Sequence, residues 1–263
     1  MMYKITLNFM RANLVLWFIA ILSFLSFQCR KEVRPNLFFS SDFSYDLSDV
    51  ERREIFSGSK IILINFPFYK RVCLIKLYPK SYVKIGEAFR RGKEIRIFLE
   101  SVSGIVVLIA HECNFFFRDL IFSDGEMRIK ASDKLFFEVI DGEAKFLGFK
   151  IKKGQGYSVE TKDIYVLPRE VKIIFPRDGA EVFIPLFLWE KIDKSRRYFL
   201  EIAIDENFLK PVFFYEIEDN KFFPQSLTLP RFSRSYFWRV WYELEDGRSS
   251  FYSEPKVINI PNF

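Results

Sequence analysis

Histidine occurs once, at His111, within His111-Glu112-Cys113. A Ser-His-Asp hydrolase would use it as general base beside a nucleophile on a Gly-x-Ser-x-Gly turn. The chain contains no such turn. The triplet also lacks the helical spacing of histidine zinc motifs, so His111 reads as a packed or half-exposed residue. Paired acids recur at Glu216/Glu218 and Glu243/Glu245. In a strand, positions two apart share a face, and such pairs are expected to serve a solvated surface. Asp133, Asp141 and Asp163 offer oxygens that calcium could use, but no ligand spacing recurs among them. The expectation is therefore no catalytic residue, no metal and no cofactor.

Two cysteines, Cys73 and Cys113, sit in apolar runs, VCLIKLY and HECNFFF. Outside the cytoplasm an even pair can oxidise. Two buried free thiols fit the same pattern, because free cysteine is among the most buried residue types. Both alternatives stand at this level.

The third cysteine, Cys29, belongs to a different element. Residues 1–28 contain no acid, and Lys4 and Arg11 precede the apolar run Leu14–Phe27. The run breaks at Gln28-Cys29 and is followed by Arg30, Lys31 and Glu32. A basic start, a short apolar core and a polar break are the parts of a secretory signal peptide. A spanning helix wants about 20 apolar residues, and this run is shorter. Leu25-Ser26-Phe27-Gln28-Cys29 resembles a bacterial lipobox of the spirochaete type. The resemblance implies cleavage before Cys29 and acyl chains on it. An uncleaved anchor helix and plain secretion are the alternatives.

The chain has 263 residues, of which 49% are hydrophobic and 33 are Phe. About 235 residues follow Cys29, enough for one large or two ordinary domains. Net charge is +6, and without Lys4 and Arg11 it is 38 basic minus 34 acidic, or +4. The signs are interspersed, and neither a clustered basic face nor a known motif marks nucleic-acid binding.

From Lys60 onward, short apolar runs alternate with turn residues. Ile61–Phe68, Val72–Tyr78, Ile95–Leu99, Ile105–His111, Phe115–Phe122, Glu126–Lys130, Leu135–Ile140 and Ala144–Ile151 are predicted strands. They are rich in residues that fit a pleated surface. Gly104, Asp124-Gly125 and Asp141-Gly142 fall between them, and Asp-Gly in that position predicts a hairpin turn. Arg30 to Ser59 reads as a polar tether, with a short helix over Asp46–Ile55 started by the capping pair Ser48 and Glu51.

Three elements carry a resemblance. The segment from Tyr82 to Gly92 (YVKIGEAFRRG), the segment from Phe136 to Ala144 (FFEVIDGEA) and the segment from Ile151 to Val159 (IKKGQGYSV) resemble successive elements of FecR-type domains. The likeness covers residues 60–165 and implies a stack of β-hairpins in the periplasm or beyond. At most twelve residues precede the stretch that begins at Asn13. The cytoplasmic segment through which signalling members touch a sigma factor is therefore not expected here.

Ile164–Arg169 (IYVLPR) is the predicted linker, since Pro168 breaks a ladder. Seven strands are predicted beyond it: Val171–Phe175, Phe187–Trp189, Tyr198–Ile204, Val212–Ile217, Ser226–Leu229, Tyr236–Leu244 and Tyr252–Ile260. Such spacing fits a β-sandwich. Trp189, Tyr236-Phe237-Trp238-Arg239-Val240 and Gly247-Arg248-Ser249 with Tyr252-Ser253 resemble fibronectin type III-like domains, which implies Trp189 as the buried strand-B tryptophan and Leu229 placed before the last hairpin. Alternation places Tyr236, Trp238, Val240 and Tyr242 in the core and Arg239, Trp241 and Glu243 outward. If Trp241 and Phe199 are exposed together, they form a partner-binding patch. If they face the first domain, they close an inter-domain contact.

The expected architecture is all-β. A signal peptide (1–28) and a lipidated tether (29–59) lead to a FecR-like β-hairpin stack (60–165). An immunoglobulin/fibronectin type III-like sandwich (170–263) follows. The whole is similar to spirochaete FecR-domain lipoproteins. It is expected to be non-enzymatic, anchored to the membrane through Cys29 and facing the periplasm or exterior, with an envelope protein or glycan as partner. The alternatives are a FecR-type signalling protein with an uncleaved helix, and a surface adhesin.

Overall fold

Three long strands shape the first module, and each changes direction at a glycine. The computed structural model describes residues 31–32, 36–39, 54–66, 72–91, 93–182, 184–224 and 235–261. The signal segment, Cys29 and the predicted strand Ser226–Leu229 lie outside the described residues. Among the described residues the protein is all-β, with no helix.

The strands of the first module, in chain order, are β1 (Lys31–Glu32), β2 (Asn36–Phe39), β3 (Glu54–Phe56), β4 (Ile62–Asn65), β5 (Cys73–Leu77), β6 (Tyr82–Arg91), β7 (Glu94–Ala110), β8 (Asn114–Phe117), β9 (Leu120–Ala131), β10 (Leu135–Phe146), β11 (Phe149–Lys152), β12 (Gln155–Ser158) and β13 (Asp163–Val166). All thirteen belong to one hydrogen-bonded sheet. β7 pairs with β6 and β8 along its first half, then with β5 and β9 along its second half. The exchange of partners falls at Ser103 and Gly104. β9 and β10 bend at a second place, where Gly125 lies opposite Gly142 in β10 and opposite Ala110 at the far end of β7. The sheet thereby folds over on itself, as strands do when they turn the corner between two packed layers.

Glycine is required at both bends. Gly104, Gly125 and Gly142 have φ values of +78, +100 and +82°, a region that L side chains avoid. A Cβ on Gly125 would stand 2.2 Å from the Asp141 carbonyl oxygen, and one on Gly142 1.8 Å from that of Asp124. This corrects the expected hairpins at Asp124-Gly125 and Asp141-Gly142. Asp-Gly signals a positive φ, and here that φ bends a continuing strand. The chain reverses elsewhere, between β9 and β10 at 132–134 and between β10 and β11 at Leu147-Gly148.

The inner faces of the folded sheet enclose one apolar core, with Ile75, Ile97, Leu108, Phe115, Phe122, Ile129 and Phe137 among its members. The predicted tether contributes to the sheet: β1 and β3 pair with β6, and β2 pairs with β4. Of the helix predicted over Asp46–Ile55, residues 46–53 lie outside the description, while Glu54 and Ile55 open β3. Part of the predicted linker also differs, because Asp163–Val166 is an edge strand on β12. The crossing to the second module runs through buried Leu167 and Val171.

The second module holds β14 (Ile173–Phe175), β15 (Ala180–Glu181), β16 (Phe187–Trp189), β17 (Ser195–Ala203), β18 (Pro211–Ile217), β19 (Lys221–Phe222), β20 (Ser235–Leu244) and β21 (Lys256–Asn259). A three-stranded sheet, β14-β16-β19, faces a five-stranded one, β15-β21-β20-β17-β18. Trp189, Tyr198, Leu200, Ile202, Tyr236, Trp238, Val240 and Tyr242 fill the space between them. The alternation read in β20 is the alternation observed, and Asp246-Gly247 closes the turn after β20.

Candidate functional site: an ionic seam between two modules

Each sheet that borders a core has a second face. In β5, β7, β9 and β10 the core takes Ile75, Leu108, Met127, Ile129 and Phe137. The alternate positions, Lys76, Val107, Arg128, Lys130 and Glu138, point the other way and are also buried. In β17 and β20 the corresponding positions are Phe199, Glu201, Arg239, Trp241 and Glu243, again buried. The two faces meet. Ile61, Tyr78 and Val107 of the first module share one apolar cluster with Phe199 and Trp241 of the second.

Of the two alternatives for Phe199 and Trp241, the contact with the first domain is the one observed, and the exposed partner-binding patch is not. Phe199 is 1% and Trp241 0% exposed. Their rings stack at 5.2 Å, and Tyr78 lies 5.4 Å from Trp241. Outward-facing aromatics cost free energy in water, and here a second sheet removes that cost. The large apolar residues that do reach solvent include Ile174, Phe175, Leu186 and Phe223, on or beside the three-stranded sheet.

Ionic groups surround the aromatic cluster. At one place Glu201 accepts from Lys76 Nζ, from Tyr78 Oη at 3.1 Å and from Arg239 Nε at 2.9 Å. Lys76 also donates to the Phe208 carbonyl at 2.9 Å. The Arg239 guanidinium lies 3.6 Å from the ring centroid of Tyr252 and 4.1 Å from that of Phe208. At a second place Arg128 Nε donates to Glu138 at 2.6 Å and its terminal nitrogen to the Ser250 carbonyl at 2.7 Å. Glu138 further accepts from Tyr165 Oη at 3.1 Å and from the Ser249 amide at 2.8 Å. Arg128 Nη1 has no hydrogen-bond acceptor. Its guanidinium instead faces the rings of Tyr252 and Trp241 at 5.3 and 5.8 Å, a cation–π contact that compensates part of the loss. At a third place Lys130 donates to Glu243 at 2.8 Å, to Ser249 Oγ at 2.6 Å and to the Gly247 carbonyl. Glu243 also takes Arg197 Nε at 3.0 Å.

The electrostatics follow from burial and pairing. Burial would raise the Glu201 carboxyl, yet Lys76 and then Arg239 outweigh it and hold the group below its ordinary value. Glu243 is lowered in the same way by Lys130 and Arg197 against its own burial. For Lys76 and Lys130 burial dominates and pushes the ammonium down, with the facing carboxylates opposing it. Burial drives the Tyr78 phenol well up. The ionised groups are thus matched by one another, which is the condition for keeping charge out of water.

The residues first considered for chemistry are not gathered here. His111 is 56% exposed at its side chain, with Nδ1 3.3 Å from Asp124. Of the paired acids, Glu216 binds Arg197 on the surface and Glu243 is built into the seam. Asp141 binds Lys153 at 2.9 Å, while Asp133 and Asp163 stand in other segments. Among the described residues no three His, Cys, Asp or Glu converge as metal ligands. Cys73 and Cys113 form a disulfide within the first core, with Cα atoms 6.2 Å apart, a usual span for such a bond. An open cleft of about 510 Å³ lies at the crossing between modules, with Arg169, Lys172 and Lys256 facing Glu170, Glu190 and Glu254.

Sequence reasoning missed Lys76, Arg128, Lys130, Glu138 and Glu201 as a group. A signal was present for three of them: Lys76, Glu138 and Glu201 are each a lone charge inside an apolar run, and such residues are rarely buried without a partner.

No family model matches the chain, and no curated protein matches it. Among solved structures, one similar chain is the extracellular domain of a hybrid two-component system from B. thetaiotaomicron. It shows 9% identity and a TM-score of 0.26, covering 80% of this chain. This chain spans 37% of that one.

Proposed function

We propose that the chain is a lipid-anchored protein of the cell envelope whose two β modules act as one rigid, non-enzymatic binding or scaffolding arm. The seam carries this reading. Lys76 with Glu201 and Lys130 with Glu243 pair across the module boundary, so they hold the modules in one arrangement. A rigid arm presents its surfaces at a fixed distance from an anchor, which suits display to an envelope protein or glycan.

Two further features support the placement. The basic, then apolar, then Cys29 order at the start has the parts of an exported lipoprotein. A bonded Cys73–Cys113 pair fits an oxidising compartment. The FecR-like and fibronectin type III-like resemblances belong to the same reading, the first facing the anchor and the second distal to it. More than one acyl chain on Cys29 would make the anchoring stable.

Intact-mass measurement of the protein from its native membrane, beside a Cys29→Ser variant, tests the proposal. The expected mass lacks residues 1–28 and carries acyl chains that the variant does not. An uncleaved chain without acyl groups would instead favour a membrane-anchored signalling protein.

A further inference from the structure

The three-stranded sheet ends at β14, which has β16 on one side and, among the described residues, no strand on the other. Ile173 of β14 lies opposite Trp189 of β16. The Trp189 N–H donates away from β14, to the Asn220 carbonyl at 3.1 Å, while the Glu190 N–H donates to the Lys172 carbonyl at 2.9 Å. Residues directly opposite in an antiparallel pair exchange both backbone bonds or neither. Ile173 and Trp189 therefore exchange neither, and the N–H and carbonyl of Ile173 point away from β16. An outward row of this kind is a template for another extended chain.

That edge opens into the cleft of about 510 Å³, a volume within the range of ligand sites. Residues 169–173 line it without a break, together with Glu190, Ser253, Glu254 and Lys256. Four of its charges are matched within the chain: Arg169 with Glu190 at 2.7 Å, and Lys256 with Glu254 at 3.2 Å. Glu170 and Lys172 are exposed and enter no ion pair among the described residues. They stand two apart along the edge, so they share one face. Val171 and Ile173 turn the other way, toward the second core.

We propose that the cleft beside β14 binds an extended peptide segment of a partner protein, added to the sheet as a strand antiparallel to β14. Antiparallel addition is the more stable pairing per residue. The backbone of the segment exchanges hydrogen bonds with Ile173. An acidic side chain of the segment meets Lys172, and a basic one two residues later meets Glu170. Apolar residues at the alternate positions cover Val171 and Ile173. The opposite order of acid and base sets like charges against each other, which is destabilising. In this mode of recognition main-chain bonds supply affinity and alternate side chains supply specificity. The site gives the arm proposed above a class of partner, and it does not depend on an anchor at Cys29.

The test reads fluorescence anisotropy of labelled heptapeptides mixed with the full chain in detergent. One peptide is Thr-Val-Glu-Val-Lys-Val-Thr, and the second exchanges its Glu and Lys. The first is expected to bind saturably and at least about fivefold more tightly than the second, the difference that two cross-strand charge pairs give. Glu170→Lys with Lys172→Glu should invert that order. Both positions are exposed, and an unchanged melting temperature will show that this variant is folded. A second arm leaves the protein untouched. N-methylation of the valine before Glu removes the amide that meets the Ile173 carbonyl and should abolish binding. N-methylation of Glu, whose amide points away from β14, should not. Equal binding of the two peptides, or binding insensitive to the first methylation, overturns the proposal, as does the lack of saturable binding up to about 1 mM peptide. A chain that is dimeric in solution, that Lys172→Glu makes monomeric and that takes up neither peptide gives the edge to a second copy and overturns the proposal as well. None of these outcomes alters the mass that tests the anchor.

Discussion

The two cores and the seam are built from the opposite faces of the same strands, yet they are held by different forces. In β9, Met127 and Ile129 enter an apolar core while Arg128 and Lys130 enter the seam. In β20, Trp238 and Val240 enter a core while Arg239 and Glu243 enter the seam. A core gains from every apolar area removed from water, whatever its exact neighbours. A buried ion pair must first repay the loss of water around both charges, and it does so only when its geometry is met. The core therefore drives burial, whereas the seam selects one arrangement of the modules over others.

The sharpest way to break this contrast is Glu201→Gln. It leaves Lys76 and Arg239 facing each other without their carboxylate. Removing one partner of a buried pair costs about 3–5 kcal/mol, read as a lower denaturant midpoint. Replacing all three charges by apolar residues of similar volume, Lys76→Met, Glu201→Leu and Arg239→Met, should recover most of that loss. If the triple variant stays as unstable as the single one, the charges contribute stability beyond their mutual satisfaction.

Next in size is the disulfide, which belongs to the first core alone. Cys73→Ser with Cys113→Ser opens a link across 40 residues and should cost about 2–4 kcal/mol. The loss should appear in the melting of the first module, with the seam hydrogen bonds still protected from exchange at lower temperature.

Acid should weaken the seam before the cores. Glu201 and Glu243 have folded-state values below the ordinary glutamate value of 4.5. Below 4.5 the unfolded chain binds more protons than the folded one, so stability falls as pH falls through the folded values. Denaturation midpoints measured between pH 6 and 3 should drop in the wild type. They should drop less in the triple apolar variant.

The smallest effect is expected at His111→Ala. Its side chain is largely exposed, beside Asp124. Stability should change by no more than about 0.5 kcal/mol. A hydrolase activity lost with this variant would overturn the non-enzymatic reading.

Much of the second module was legible because period-two alternation is a local property. Tyr236, Trp238, Val240 and Tyr242 share a face in the sequence and in the core. The glycine corner was half legible. Asp124-Gly125 and Asp141-Gly142 announced positive φ, but a positive φ serves a reversal or a bend equally, and only the pairing of Gly125 with Gly142 chose the bend. The seam was the least legible part. Alternation placed Arg239, Trp241 and Glu243 away from the second core, and it left open whether water or the first domain lay on that side.

The sequence by itself determined the all-β class, the faces of β20, and the basic-apolar-cysteine start. These depend on neighbours a few residues apart. The tertiary structure decided where the second faces went: Lys76 to Glu201 across 125 residues, and Lys130 to Glu243 across 113. Alternation tells which side of a strand a residue occupies. It does not tell what lies on that side, because that is set by strands remote in the chain.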